Sequence, residues 1–466
     1  MLLQRSLRKE RHVERKAVQG TRAVAWFAGC FLWMLFSPQL AVHAEDLETR
    51  VRELEAMVRA LQERLAVVEG RAQAGADVDL NLVGRLDQVE SKTSELADAR
   101  KKSDWAERIK FSGDFRYRHE WIEVDDNRGG NRDQDRHRVR ARLGVAAKVN
   151  DEIDVAMQLA SGSQDPVSTN QTLDGAFSSK PVWLDLMYFD YHPQSVPGLK
   201  VIGGKMKNPF EKPVGNSDLI WDTDLRPEGL AVTYRRKFAD RFDVNLRGAG
   251  YWVDERNTQR LDDIPPTIDT DDTSLWALQA DVKFDLPIRE KTYLKVGGGY
   301  YDYGNVKKKM PAIVGGAFGN FVTFEEGWFP DDMNLYEGFV EIGTPVFFEW
   351  PFTVFGHYVK NSQAKASDED TGWLLGAKLG ACKEPRSWEI VYNYRDLEAD
   401  AVMGAFTDRD FIGGGTDGRG HKISFGYQLA KNWKLGVNYF NNKRRLADPA
   451  PNQDYERLQL DVEFKF

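Results

Sequence analysis

The sequence predicts an all-β fold: a sixteen-stranded antiparallel barrel spanning a membrane, preceded by a signal peptide and a short α-helical coiled coil. Three observations predict it. Apolar and polar side chains alternate with a period of two from Ile109 to the final residue, Phe466. Short and long connections alternate strictly between the candidate strands. Ahead of the strands, a basic stretch and an apolar stretch lead into a heptad pattern.

The N-terminal segment comes first. Arg5, Arg8, Lys9, Arg11, Arg15, Lys16 and Arg22 make Met1 to Arg22 basic, and Ala23 to Phe36 is apolar. Val42-His43-Ala44 then places small residues three and one positions before Glu45, so residues 1–44 read as a cleaved signal peptide with an extended basic region. An uncleaved anchor is the alternative; the apolar run is short for a span. From Glu45 to Glu69, Leu47, Val51, Leu54, Val58, Leu61, Leu65 and Val68 step by four and three, the seam of a coiled coil. Gly70 to Gly75 breaks the pattern, and a weaker helical stretch carries Leu82, Leu86, Val89 and Leu96. Residues 45–104 are expected to form a periplasmic spacer or oligomerisation segment. Residues 105–466 are expected to form the barrel.

The last strand shows the alternation best. Leu458, Leu460, Val462, Phe464 and Phe466 interleave with Arg457, Gln459, Asp461, Glu463 and Lys465. One face is wholly apolar, the other wholly polar. In water the apolar face would need a second layer; in a lipid barrel acyl chains cover it. The first strand repeats the pattern, with Ile109, Phe111, Phe115, Tyr117 and Trp121 against Lys110, Ser112, Asp114, Arg116 and Arg118. Fourteen more candidates lie at 137–149, 152–162, 182–192, 199–206, 228–237, 241–254, 274–286, 291–303, 333–343, 347–360, 372–381, 386–397, 420–429 and 432–443. Sixteen is an even number, as single-chain bacterial barrels require. Long links at 122–136, 163–181, 207–227, 255–273, 304–332, 361–371, 398–419 and 444–456 follow the odd strands, and short turns follow the even ones. This is the pattern of extracellular loops and periplasmic turns, and it puts both barrel termini in the periplasm. Aromatics near strand ends, such as Trp252, Tyr303 and Trp433, suit interfacial girdles.

Composition is consistent with this and excludes other classes. Mean hydropathy of -0.54 is too polar for a helical membrane protein, but a barrel that alternates its faces is polar on average. The net charge is -8, and removing residues 1–44, with seven basic and two acidic side chains, leaves 57 basic against 70 acidic. So acidic a chain is poorly suited to nucleic acid. Of two cysteines, Cys30 lies in the leader and Cys382 in the barrel, so no internal disulfide is expected in the mature chain. The seven histidines are scattered, none in a nucleophile motif or at metal-ligand spacing along the chain, so neither an enzyme nor a cofactor or metal is expected.

The segment Gly203-Gly204-Lys205-Met206-Lys207-Asn208-Pro209-Phe210, followed by Trp221-Asp222-Thr223-Asp224-Leu225-Arg226-Pro227-Glu228-Gly229, resembles the putative-porin family of Gram-negative outer membranes. The terminal Phe466 resembles the signature by which the barrel-assembly machinery recognises its clients. The resemblance implies a water-filled channel for passive diffusion of small hydrophilic solutes or ions, in contact with outer-membrane lipid and lipopolysaccharide, and a homotrimer. The Gly-Lys-Met-Lys-Asn-Pro-Phe stretch is also similar to phosphate-selective porins, but their long basic loop runs are missing and anion selectivity is not carried over. A structural tether or adhesin barrel with a coiled-coil spacer is the alternative.

In general porins the third long loop folds inward. Here that loop is 207–227, carrying Glu211, Lys212, Asp218, Asp222, Asp224 and Arg226, with Pro209 and Pro213 stiffening its start. It is either an eyelet or an extracellular loop without a pore role. Arg116, Arg118, Arg138, Arg140 and Arg142 stand at every second position and share one face, which must be the lumen because guanidiniums in lipid are prohibitively costly. Opposed to the loop carboxylates they would set a transverse field; otherwise they form a wall ladder paired with neighbours such as Asp114.

Overall fold

The computed structural model describes residues 108–466 apart from 126–130, 216, 239–240, 257–270, 312–315, 326, 366–367 and 448–451. The expected signal peptide and coiled coil lie outside the described residues.

The strands are β1 (Ile109–Asp125), β2 (Asn131–Lys148), β3 (Ile153–Ser161), β4 (Gln171–Thr172), β5 (Val182–Tyr191), β6 (Leu199–Lys205), β7 (Glu228–Phe238), β8 (Phe242–Asp254), β9 (Thr273–Asp285), β10 (Tyr293–Gly304), β11 (Met333–Pro345), β12 (Pro351–Asn361), β13 (Thr371–Gly380), β14 (Trp388–Leu397), β15 (Gly418–Ala430), β16 (Trp433–Arg444) and β17 (Gln453–Lys465). β4 is a two-residue fragment hydrogen-bonded to the upper part of β2. The other sixteen form the wall. Each pairs antiparallel with its sequence neighbours, and β1 pairs with β17 from Asp114↔Lys465 to Asp125↔Asp454, so the sheet closes on itself. Closure leaves no edge to be solvated inside a bilayer.

Burial is inverted relative to a water-soluble protein. Leu278 and Trp276 on β9 are 66% and 64% exposed, whereas Arg118 and Asp281 are buried. Apolar side chains point out of the barrel and charged ones point in.

Besides the short β4 within the expected link 163–181 and the start of β17 at Gln453 within 444–456, the elements follow the sequence with two differences. Much of the first long link, expected over 122–136, is strand: β1 continues to Asp125 and β2 begins at Asn131. That stretch is too polar to look like a strand, but the pairing Val124↔Tyr455 and Trp121↔Asp135 continues there in register. Strands that rise above the hydrocarbon meet water on their outer face and need no apolar alternation. The second difference is at 347–350, expected as the start of a strand. Phe347–Glu349 forms a 3-10 turn, Glu349 takes a positive φ of 61°, and β12 starts at Pro351.

At the closing seam, the Phe466 ring lies across Gly113. Gly113 N donates to Phe466 O at 2.9 Å and Phe466 N donates back at 3.1 Å. A Cβ at Gly113 would stand 2.4 Å from Phe466 Cζ and 2.5 Å from the Arg142 carbonyl oxygen. Gly113→Val is therefore expected to destabilise the folded barrel by about 1–3 kcal/mol. A lower midpoint in urea unfolding, followed by tryptophan fluorescence, checks this; an unchanged midpoint would show that the seam tolerates a side chain.

Candidate constriction site

Four loops turn inward over the wall: L2 (162–181), L3 (206–227), L5 (305–332) and L7 (398–417). L3 leaves β6 and crosses to the far side. The Glu211 carboxylate meets Lys295 Nζ at 2.5 Å and Arg247 at 3.4 Å, and its main chain exchanges hydrogen bonds with the Gln279 amide. Val214 N donates to Glu341 on β11 at 2.9 Å. Arg395 on β14 donates to the Asp218 carbonyl oxygen at 2.9 Å. Asp224 then reaches back to β2, 3.3 Å from Arg142, and accepts from the Thr169 hydroxyl of L2 at 2.9 Å. The loop thus touches walls from β8 around to β14, and β2.

Apolar packing holds it there. Phe210, Leu219, Ile220, Trp221 and Leu225 of L3 are buried with Val402, Met403 and Ala405 of L7, against inward Tyr251, Leu275, Tyr301, Phe355 and Tyr303 of the wall, the last expected in a lipid-facing girdle but turned inward by its parity on β10. Phe210 and Trp221 both meet the Tyr301 ring edge-on, with centroids 5.2 Å apart. Beneath, Tyr301 Oη donates to Glu337 at 2.6 Å, and His357 Nε2 lies 2.7 Å from the other oxygen of that carboxylate. The lumen is therefore only partly polar.

L7 docks on L3 and on the arginine ladder. Asp222 N donates to the Phe406 carbonyl oxygen at 2.8 Å, and Thr407 donates to the Asp218 and Leu219 carbonyl oxygens. Asp410 sits between two guanidiniums, 3.0 Å from Arg118 and 2.9 Å from Arg457. Burial alone would push the Asp410 carboxyl up; Arg457, Arg118 and Lys422 outweigh it and hold it well below the ordinary carboxylate range. Burial, reinforced by Asp218, Asp224 and Asp408, pushes the Asp222 carboxyl the other way, well above that range.

The five ladder arginines all face the lumen. Arg116 meets Asn170 at 2.5 Å and Glu463 at 3.5 Å, and Arg118 forks onto Asp461. Arg138 donates to the Asn170 carbonyl oxygen and lies 3.6 Å from Glu120. Arg140 and Arg142 share Asp114, at 2.7 and 2.6 Å. Wall pairing and loop opposition, posed as alternatives by the sequence, thus coexist on the same residues.

The ladder and the loop acids meet around one cavity of about 230 Å³. Arg116, Arg118 and Arg140 line it with Asp218, Asp222 and Asp224 of L3, Asp408 and Asp410 of L7, and Lys422 and Lys434 of the wall. A second chamber of about 440 Å³ shares Asp222 and Thr223 with it, and a vestibule of about 970 Å³ shares Trp221 and Arg226 with that chamber. The L3 segment 221–226 borders all three.

Glu211 lies apart from the arginine face, whereas Lys212 and Arg226 line the second chamber together with Arg142. Glu211 binds the β8–β10 wall, Lys212 pairs with Asp218 inside L3, and Arg226 pairs with Asp185 on β5 at 3.3 Å. Sequence reasoning put Arg457 on the inward face but missed L7 as an inward loop and did not single out Lys422 and Arg395. One signal was available: β10 and β11 carry apolar residues on both faces, as in Tyr301, Tyr303, Leu335 and Phe339 inward with Tyr336, Val340 and Ile342 outward. An inward apolar stripe implies something packed inside.

A closed ring of sixteen strands, apolar outside and largely polar within, is the architecture of an outer-membrane channel barrel. The family model described as "Putative porin" matches residues 123–316 and 346–466, and the chain belongs to that family. Its fold is shared with the high-pH structure of Pseudomonas putida OprB, at 11% identity and a TM-score of 0.50 over 80% of this chain and 97% of that one. Salmonella typhi OmpF in complex with daunomycin aligns at 9% identity and a TM-score of 0.44, over 77% and 97% of the two chains. The outer-membrane channel DcaP of Acinetobacter baumannii aligns at 14% identity and 0.43 over the same shares. No curated protein matches in sequence.

Asp410→Asn removes one charge from between Arg118 and Arg457 and is expected to loosen L7 and raise single-channel conductance; unchanged conductance would mean L7 does not limit flow. In the unmodified protein, a carboxyl depressed on docking contributes stability above the ordinary carboxylate range and loses it only as pH falls through the depressed value. The contribution of Asp410 to L7 docking should accordingly hold from about pH 7 to about pH 5, so the conductance difference between the unmodified protein and Asp410→Asn should persist over that range and shrink only in stronger acid.

Proposed function

We propose that the chain forms a narrow, water-filled channel for small hydrophilic solutes and ions, with L3 as its constriction and L7 as a second inward loop. The observation that carries this reading is the path of L3: its hydrogen bonds reach strands on opposite sides of the wall, and what remains between loop and ladder is a small cavity lined by charge. Arg116, Arg118 and Arg140 line it together with the loop carboxylates of Asp218, Asp224, Asp408 and Asp410. Opposite charges on wall and loops set a transverse field, which orients dipolar solutes and hinders apolar ones. Arg142, paired with Asp224, and Arg138, paired with L2, fix the position of the loops that form the rim.

The cavity lining carries slightly more acidic than basic side chains, Glu389, Asp461 and Glu463 adding to the loop acids and Arg409 to the bases. Weak cation preference follows. In planar bilayers with asymmetric KCl, the protein should give a conductance below that of a wide, unobstructed barrel and a small reversal potential of cationic sign. Arg140→Gln should move that potential further toward cations. A non-conducting barrel, or strong anion selectivity, would overturn the reading.

Residues 1–44 are proposed as a cleaved leader and residues 45–104 as a periplasmic coil that assembles trimers. Deleting 45–104 should leave conductance intact and convert trimers to monomers on a native gel. Loss of envelope integrity with trimers retained would favour a tether instead.

A further inference from the structure

The seven histidines look scattered along the chain, but the β1–β2 hairpin brings two together. The register pairs His119 with His137 and Trp121 with Asp135. These side chains are on the outer face, since the adjacent Arg118, Glu120 and Arg138 point inward. The imidazoles stack with centroids 4.2 Å apart, and His119 Nε2 lies 2.5 Å from an Asp135 carboxylate oxygen. One ligand atom from each of His119, Asp135 and His137 lies within 4.8 Å of the others.

We propose that His119, Asp135 and His137 form a binding site for a divalent transition-metal ion of the zinc type, on the outer face of the β1–β2 hairpin. Two imidazole nitrogens and a carboxylate oxygen are a common donor set for such ions, with water completing a tetrahedron. Donors about 2.0–2.2 Å from a shared ion stand a little over 3 Å apart, so side-chain rotations of about 1 Å would complete the cage. The supporting partners are also present. Tyr117 Oη lies 2.6 Å from His137 Nδ1, which fixes that ring and leaves Nε2 for the metal. Trp121 packs on His119 at a centroid distance of 3.9 Å.

The surroundings favour a cation. Below the pair the outer face is apolar, with Phe115, Ala141 and Leu143; above it, Glu123 and Asp133 face each other and Glu456 of β17 joins them. The site therefore sits where the lipid-facing belt gives way to an acidic rim, within reach of ions in the aqueous headgroup layer. A metal there would clip β1 to β2 at the hairpin that carries the arginine ladder.

The test uses untagged full-length protein folded in detergent. Titration with ZnCl2 by calorimetry should give one equivalent per chain, and CoCl2 should give visible bands of a nitrogen- and oxygen-ligated tetrahedral ion. His119→Ala and His137→Ala should each weaken binding at least tenfold, and Tyr117→Phe should weaken it less while keeping the stoichiometry. Should those variants fail to fold, as judged by mobility before and after boiling, the unmodified protein supplies a second readout. Zinc should protect His119 and His137, but not His421, from diethylpyrocarbonate. Equal zinc binding by the unmodified protein and a folded His119→Ala/His137→Ala double variant, or no protection, would overturn the proposal.

Discussion

The structure depends on one constraint: inside hydrocarbon every backbone N–H and C=O must find a partner within the protein. A sheet meets that demand only by closing, and here it closes where β1 receives β17 over twelve consecutive residue pairs. Once the ring is closed, the pleat gives each strand one face toward lipid and one toward the interior. Arg116 and Arg118 are forced inward by the same geometry that turns Phe115 and Tyr117 outward. The charged lumen is therefore a consequence of the closure.

Inward charges in a barrel need counter-charges or water. This chain supplies counter-charges from two sources, the neighbouring wall and the loops. Asp461 and Asp114 bind arginines laterally, while Asp410 and Asp224 reach them from loops. The loops in turn need an anchor, and they find it on the opposite wall, where Tyr301, Tyr303 and Phe355 give L3 and L7 an apolar floor. The lumen is thus divided, one side dry and packed, the other charged and open to a cavity. That division is the physical basis for reading L3 as a constriction.

The wall was almost wholly legible in the sequence, because a two-residue rhythm in Leu458 to Phe466 survives any tertiary context that keeps one face in lipid. The polar hairpin tip at 122–136 was not, since strands above the membrane lose that rhythm without losing their pairing. L3 and the arginine ladder were legible as candidates, from position and parity. Their exact partners were not: Glu211 and Asp224 lie in one loop yet bind opposite walls, and no local pattern encodes which wall a loop residue reaches. The meeting of His119 and His137 depends on hairpin register, which a polar hairpin tip leaves unspecified by hydrophobic pattern.

β9 presents Trp276, Leu278 and Ala280 to lipid and Leu275, Ala277, Gln279 and Asp281 to the interior. Single cysteines placed along 275–281, with Cys382 changed to Ser, can carry nitroxide labels in protein reconstituted into bilayers. Collisions of the labels with dissolved oxygen, which concentrates in acyl chains, should rise and fall with a period of two, high at 276, 278 and 280. A uniform profile, or one repeating every three to four residues, would contradict the barrel.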